Sequence, residues 1–268
     1  SPRRRRLHSR HALRSSQSSS PYYNKSTDAY CYIGTEKPNH DVVIVGWDDS
    51  YSKDNFNTDL EGDGAFICQN SWGDNFGENG FFYISYYDTN IGTHNVVYTD
   101  IENTDNYDHI YQSDLCGWVG QLGYNKDSIY GANVFTAEGN ETLKAASFYA
   151  TGKDSQYELY VVRQFEDETS LEKMIPVASG KLGNAGYYTV DFNQGIEVDA
   201  GERYAVVLYI ITPGSVHPMA IEYAADEATE NVDLDDGESY ISANGSKWVS
   251  VDTVEKSNLC IKAFSDNR

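Results

Sequence analysis

Four cysteines in 268 residues, with no CxxC pair among them, leave little room for a disulfide framework or a thiolate zinc site. No stretch approaches the ~18 consecutive apolar residues of a membrane-crossing helix, so no membrane span is expected. The first residues do not read as a secretory leader, because their arginines run into Ser and His rather than an apolar core. Basic residues are scarce beyond position 20. The first twenty positions hold six arginines and no acidic residue, while the rest of the chain sets 14 basic residues against 41 acidic ones. A body this acidic repels nucleic acid and anionic membranes, so neither is expected as a partner. Few thiols in a Tyr-rich acidic chain fit an exported bacterial protein.

What the chain does hold is aromatic: 22 tyrosines, with glycines punctuating the sequence throughout. Its length suits one to two domains of ~100–200 residues, and that composition favours strands over helices. Residues 1–20, "SPRRRRLHSRHALRSSQSSS", are low in complexity and are expected to form a disordered basic leader. The abrupt change at "PYYNKSTDAY" fits an artefactual origin for that leader. Residues 21–104 form a first segment, with strands expected over 41–47, 64–70 and 81–87 and a polar loop between the first two. The polar stretch 100–114 reads as a connector. From 105 to 268, short alternating runs such as "SIYGANVFTA", "YELYVVRQF" and "NLCIKAF" predict an antiparallel β-sandwich or jelly roll.

If the strands over 41–47 and 64–70 pair as a hairpin, position 40 falls opposite position 70, or nearly so. Opposed residues have Cβ atoms ~4.5–5.5 Å apart, close enough for the Asn70 amide to take an N–H from the His40 imidazole. A histidine held in one tautomer at the end of a rigid strand suits general acid–base work on a nucleophile. The plain alternative makes His40 a strand cap and Asn70 the first residue of a turn. The Ser71-Trp72-Gly73 run that follows weakens that alternative, since an indole beside the pair would keep water from it.

A second candidate is "NVDLDDGESY", which places Asp233, Asp235, Asp236 and Glu238 in one turn. Such oxygen donors suit calcium, although the turn lacks the EF-hand spacing and a solvated acidic turn explains it as well. No other cofactor is expected. "DLEGDG" at 59–64 is explained by a hairpin loop. Trp118, Trp248 and several tyrosines are of the right type to stack on sugars.

"NHDVVIVGWDD" followed by "NSWGDNFGENGFFYISYY" resembles the C-terminal half of the papain-like cysteine peptidases. The order of segments also resembles clostridial surface peptidases in which a lectin-like domain follows the peptidase. The resemblance implies a mainly β chain: a partial papain-like α+β barrel half, then a jelly-roll-like lectin-like sandwich. It implies that His40 is the catalytic imidazole, Asn70 its orienting amide and Trp72 the cover over their contact, with Gly73, Gly77 and Gly80 forming the turn. It further implies a protein or peptide substrate, a glycan or cell-surface ligand for the sandwich, and an extracellular or cell-surface location. The family's nucleophilic cysteine precedes the histidine by ~130–150 residues in a C-G-[SA]-C-[WY] context, and only 39 residues precede His40. Cys31 lacks a following helix, and Cys68 reads as a buried apolar thiol. The chain is therefore expected to be a fragment of a cysteine-type peptidase, inactive alone, whose first segment exposes apolar surface. Two alternatives are a non-catalytic protein that binds carbohydrate or a surface partner through its sandwich, and a peptidase whose helical lobe comes from another chain.

Overall fold

The computed structural model describes residues 6–11, 20–38, 40–93, 96–98, 102–227, 229–251 and 256–268, without the side chains of 6–11 and 96–98. The chain divides into two units, Ser1–Glu102 and Asn103–Arg268, and it is mainly β, as the sequence predicts.

The first unit is one seven-stranded sheet. Its strands are β1 (Arg6–His11), β2 (Tyr23–Asn24), β3 (Ala29–Tyr30), β4 (His40–Asp48), β5 (Ala65–Gln69), β6 (Phe81–Ser85) and β7 (Val96–Tyr98). They lie in the order β2-β3-β6-β5-β4-β1-β7, antiparallel except for the β3–β6 pair. Alternation in "HDVVIVGWD" sends Val42 and Ile44 into a cluster with Tyr23, Tyr30, Tyr32, Cys68, Phe82 and Ile84. The opposite face buries a smaller cluster of Ala29, Cys31, Phe56, Leu60 and Ala65. A bulge between Ile44 and Gly46 re-aims the far end of β4, where Val45 and Trp47 are exposed, Trp47 to 67%.

The expectation of an unstructured leader does not hold for Arg6–His11. These residues pair with β4 from Leu7↔Ile44 to His11↔His40, and with β7 through Arg6↔Tyr98. Low-complexity composition limits only what side chains can bury. A strand pair is held by backbone N–H and C=O groups, and the free edge of β4 offers these to any extended segment. Residues 1–5 and 12–19 lie outside the described residues.

The second unit is a sandwich. Its strands are β8 (His109–Tyr111), β9 (Gly120–Leu122), β10 (Ser128–Thr136), β11 (Glu141–Ala150), β12 (Ser155–Val162), β13 (Ile175–Leu182) and β14 (Gly186–Val198). They continue as β15 (Arg203–Ile211), β16 (Met219–Glu222), β17 (Ser239–Ser242), β18 (Val249–Ser250), β19 (Asn258–Leu259) and β20 (Ile261–Asn267). A six-stranded sheet, β13-β12-β15-β10-β17-β18, faces a four-stranded one, β14-β11-β20-β8, and β19-β16-β9 form a third. One core joins the two larger sheets. Ile129, Leu159, Val161, Tyr204, Val206, Leu208 and Ile210 meet Leu143, Ala146, Phe148, Phe192, Ile261 and Ala263. Each large side chain so buried contributes about 1.5–3 kcal/mol. "RYAVVLYII" is apolar on both faces because β15 is central: Ala205 and Val207 pack outward under Phe165 and Leu171.

One expectation needs correction here. The connector over 100–114 contributes β8, which pairs with β20. The run "IPVASGKL", not among those read as strands from the sequence, forms β13 and contains Pro176 and Gly180. It lies at the edge of its sheet, the position at which strands tolerate proline.

Candidate functional site

His40 is the first residue of β4, and Asn70 directly follows β5. Val43 pairs with Gln69, so Asn70 continues opposite Val42, and His40 sits two residues further along the same face. The pair is therefore diagonal rather than directly opposed, and the side chains still meet: His40 Nε2 lies 2.9 Å from Asn70 Oδ1. Oδ1 also accepts the Ser71 N–H at 2.7 Å, which fixes which end of the amide faces the ring. An amide oxygen only accepts, so His40 must donate from Nε2–H. The Nδ1 lone pair is then the basic, outward-acting nitrogen. Asn70 itself is 7% exposed, and its Nδ2 is buried without a hydrogen-bond partner among the described residues.

Trp72 stacks on the imidazole, with ring centroids 4.7 Å apart and planes 27° from parallel. Its other contact is edge-on to Phe76, which meets Phe82 in the core in the same way. A line of rings thus anchors the cover over His40 to the interior of the sheet. The turn beyond it depends on glycine. Gly77 has φ +54°, and a Cβ there would lie 2.2 Å from the Phe81 carbonyl oxygen. The same turn returns the Gly80 carbonyl to the Asn70 N–H at 2.9 Å.

None of the four cysteines is prepared as a nucleophile. Cys31, Cys68 and Cys260 are buried. Burial pushes the Cys31 thiol up to about 11 and raises those of Cys68 and Cys260 further. Cys116 is exposed, but desolvation and the Glu222 carboxylate raise its thiol too. Among the described residues, no cysteine hydrogen-bonds to His40. Iodoacetamide at neutral pH is therefore expected to label Cys116 first in the native chain, faster as pH rises and the thiolate fraction grows. Mass spectrometry should find the rate unchanged by His40→Ala. Labelling that depends on His40 would reveal an activated thiol here.

The acidic turn separates into two groups. Glu238 pairs with Arg203 and accepts from Tyr240 Oη at 2.9 Å, and the Asp233 carboxylate accepts the Asp235 N–H. Neither Glu238 nor Asp235 joins the other group. That group surrounds Asn258, which is fully buried. Its Nδ2 is faced by Ser113 O at 2.7 Å, Asp233 O at 2.9 Å, Glu222 Oε1 at 3.1 Å and Asp236 Oδ1 at 3.2 Å. An NH₂ group has two hydrogens for these four oxygens, while Asn258 Oδ1 has no hydrogen-bond partner among the described residues. Burial, then the nearby Asp233, push the Asp236 carboxyl up. Turning the amide over would gather five oxygens, two of them carboxylate, in the manner of a hard-cation site. Among the described residues, no three His, Cys, Asp or Glu side chains cluster as metal ligands; this group holds two carboxylates and relies on carbonyls for the rest. Sequence reasoning missed Ser113, Glu222 and Asn258, which no local spacing connects to the turn.

A model of the papain family cysteine proteases matches residues 10–101, and a model of the lectin-like domain matches residues 110–265. No curated protein matches the chain. Among solved structures, the cysteine protease and lectin-like domains of Cwp84, a surface layer associated protein of Clostridium difficile, share 26% identity with it at a TM-score of 0.76. That match covers 98% of this chain and 59% of the other. A clostridial Cwp84 variant with cysteine replaced by alanine, after propeptide cleavage, shares 28% identity at the same TM-score, covering 98% and 66%. The chain thus spans less than two thirds of either structure. It belongs to the lectin-like domain family, and ahead of that domain it carries the C-terminal part of a papain-family cysteine protease.

Proposed function

We propose that residues 21–104 supply the imidazole and amide of a cysteine-type peptidase, and that residues 105–268 are a lectin-like domain serving the same protein. His40 is the proton carrier, Asn70 holds its tautomer, and Trp72 excludes water from their hydrogen bond. The contact between His40 Nε2 and Asn70 Oδ1 carries this reading, because it leaves Nδ1 free on the side away from the amide. The nucleophile is a thiolate from outside this chain. It forms an ion pair with imidazolium at Nδ1 and attacks the peptide carbonyl. His40 then gives its Nδ1 proton to the leaving amine, and neutral Nδ1 afterwards takes a proton from the water that cleaves the acyl-enzyme. The substrate is protein or peptide. A cell-surface location follows from the relative described as surface layer associated.

The tautomer can be tested on the chain itself by ¹⁵N–¹H correlation spectroscopy of the imidazoles at a pH where His40 is neutral. The expected result is a protonated Nε2 and a bare Nδ1. A proton on Nδ1 would remove the basis of the reading.

A second proposal concerns the lectin-like domain: Ser113 O, Glu222, Asp233 O, Asp236 and Asn258 hold a calcium ion. Calcium takes six to eight oxygens, so water would complete the shell. Its charge would neutralise Glu222 and Asp236 and give the Asn258 oxygen a partner. A non-catalytic protein that binds surface glycan through the sandwich is the alternative function, favoured by the family match over residues 110–265.

A further inference from the structure

We propose that the outer face of the four-stranded sheet carries a binding platform for neutral, hexose-type glycans, built from Trp118, Tyr149 and Tyr187. The proposal rests on the lectin-like reading and locates its site. On β11, Leu143, Ala146 and Phe148 point into the core, which turns Ser147 and Tyr149 outward. Tyr149 pairs across strands with Tyr187 on β14, and their ring centroids are 4.9 Å apart. Trp118 arrives from the loop after β8, 5.8 Å from Tyr149. Tyr187 is 44% exposed and Trp118 37%, while Ser147 beneath them is sealed.

The rings are preorganised. Gly117, at φ +69°, turns the loop so tightly that a Cβ there would lie 2.9 Å from the Tyr149 hydroxyl. The Gly117 N–H bonds to Asp114 O, and the Val119 N–H bonds to Ile221 O. On the sheet side, the Tyr187 hydroxyl is hydrogen-bonded to Ser147 Oγ. A surface fixed before binding loses little entropy when occupied.

The chemistry of the rim selects the ligand. Lys262, next in register to Ser147, is engaged by Gln112 Oε1 at 2.7 Å and by Asp114 Oδ1 at 2.9 Å. Its charge is thereby neutralised. The polar groups beside the rings are the Tyr149 and Tyr187 hydroxyls and the Gln112 amide, uncharged groups of the kind that pair with sugar hydroxyls. A chain of formal charge −21 disfavours anionic glycans. The rings lie 54° and 56° from one another, so they do not stack face to face. The tyrosine pair on the six-stranded sheet differs in that respect. Tyr130 and Tyr209 stack on each other at 4.2 Å, and Gly245 packs over Tyr130, so both faces of Tyr130 and one of Tyr209 are occupied.

The test uses the full chain on an array of neutral hexose and N-acetylhexosamine oligosaccharides, followed by calorimetry with whichever oligosaccharide binds. Trp118→Ala and Tyr187→Ala are each expected to weaken binding at least tenfold with an unchanged circular dichroism spectrum, while Trp248→Ala binds as the parent does. If the parent binds no sugar, carbohydrate recognition by this domain is refuted and the platform with it. If the parent binds and the two platform variants match it, or Trp248→Ala is the variant that loses binding, the platform is refuted while the lectin-like reading stands. Loss, in Trp118→Ala, of binding to a protein in place of any sugar would make the surface a protein interface and overturn the proposal.

Discussion

His40→Ala, introduced into a polypeptide that also carries the thiolate-bearing half, is expected to lower kcat by on the order of 10⁴- to 10⁶-fold with little change in KM. The split follows from where the imidazole acts. In the proposed role it would move a proton while bonds break and contribute nothing to ground-state grip on the substrate. Asn70→Ala should cost less, roughly a hundredfold, the usual loss for one preorganised hydrogen bond in a site. Its mechanism is also distinct. Without Oδ1 to receive Nε2–H, the ring is free to adopt the other tautomer and to rotate, so the fraction of correctly protonated enzyme falls. Trp72→Ala should fall between Asn70→Ala and the parent, since it exposes the hydrogen bond to water without removing either partner. His40 is partly exposed at a strand end, and its loss should leave the circular dichroism spectrum intact. Activity within tenfold of the parent after His40→Ala would dismiss the assignment of the general acid–base role.

Calcium is expected to raise the melting temperature of the second unit by roughly 8–16 °C when present at about a thousandfold excess over its dissociation constant. The size follows from linkage, about 4 kcal/mol at that saturation, and from the entropy of unfolding a unit of this length. Glu222→Gln or Asp236→Asn should remove most of the shift, because each takes a charged oxygen from the group around Asn258. The pH dependence has a definite sign. Asp236 is raised in the folded protein, so without the cation the folded state holds a proton that the unfolded state has released. Stability then falls as pH rises from the usual carboxylate range through the raised value. A bound cation replaces that proton, so calcium should stabilise most at neutral pH and little once Asp236 is protonated. Scanning calorimetry that shows no calcium effect in the parent at neutral pH would eliminate the cation site.

The peptidase-like portion was legible where contacts are local in the chain. β4, its loop and β5 form a hairpin, and alternation in two valine- and phenylalanine-rich runs is enough to bring His40 toward Asn70. The sequence reading erred there only in register, by a two-residue diagonal that the long side chains span. β1 was missed because the arginines and serines of residues 1–20 argue against a core, whereas strand pairing uses backbone groups that every such residue has. β13 was not among the runs read as strands, and it carries Pro176 and Gly180 at the edge of its sheet. The sandwich was legible from its alternation. The group around Asn258 was not, since Ser113, Glu222, Asp233, Asp236 and Asn258 meet only after several strands have been laid down. Of the four acidic residues singled out in that turn, only Asp236 sends its carboxylate there.

The span from Ser113 to Asn258 is 145 positions. A clasp whose halves lie that far apart has no counterpart in the nascent chain, because loop closure must be achieved before its oxygens exist as a set. Metal capture would therefore come late in maturation. A polypeptide threaded through calcium-poor surroundings would stay loosely fastened at this corner and lock on arrival where the ion is abundant.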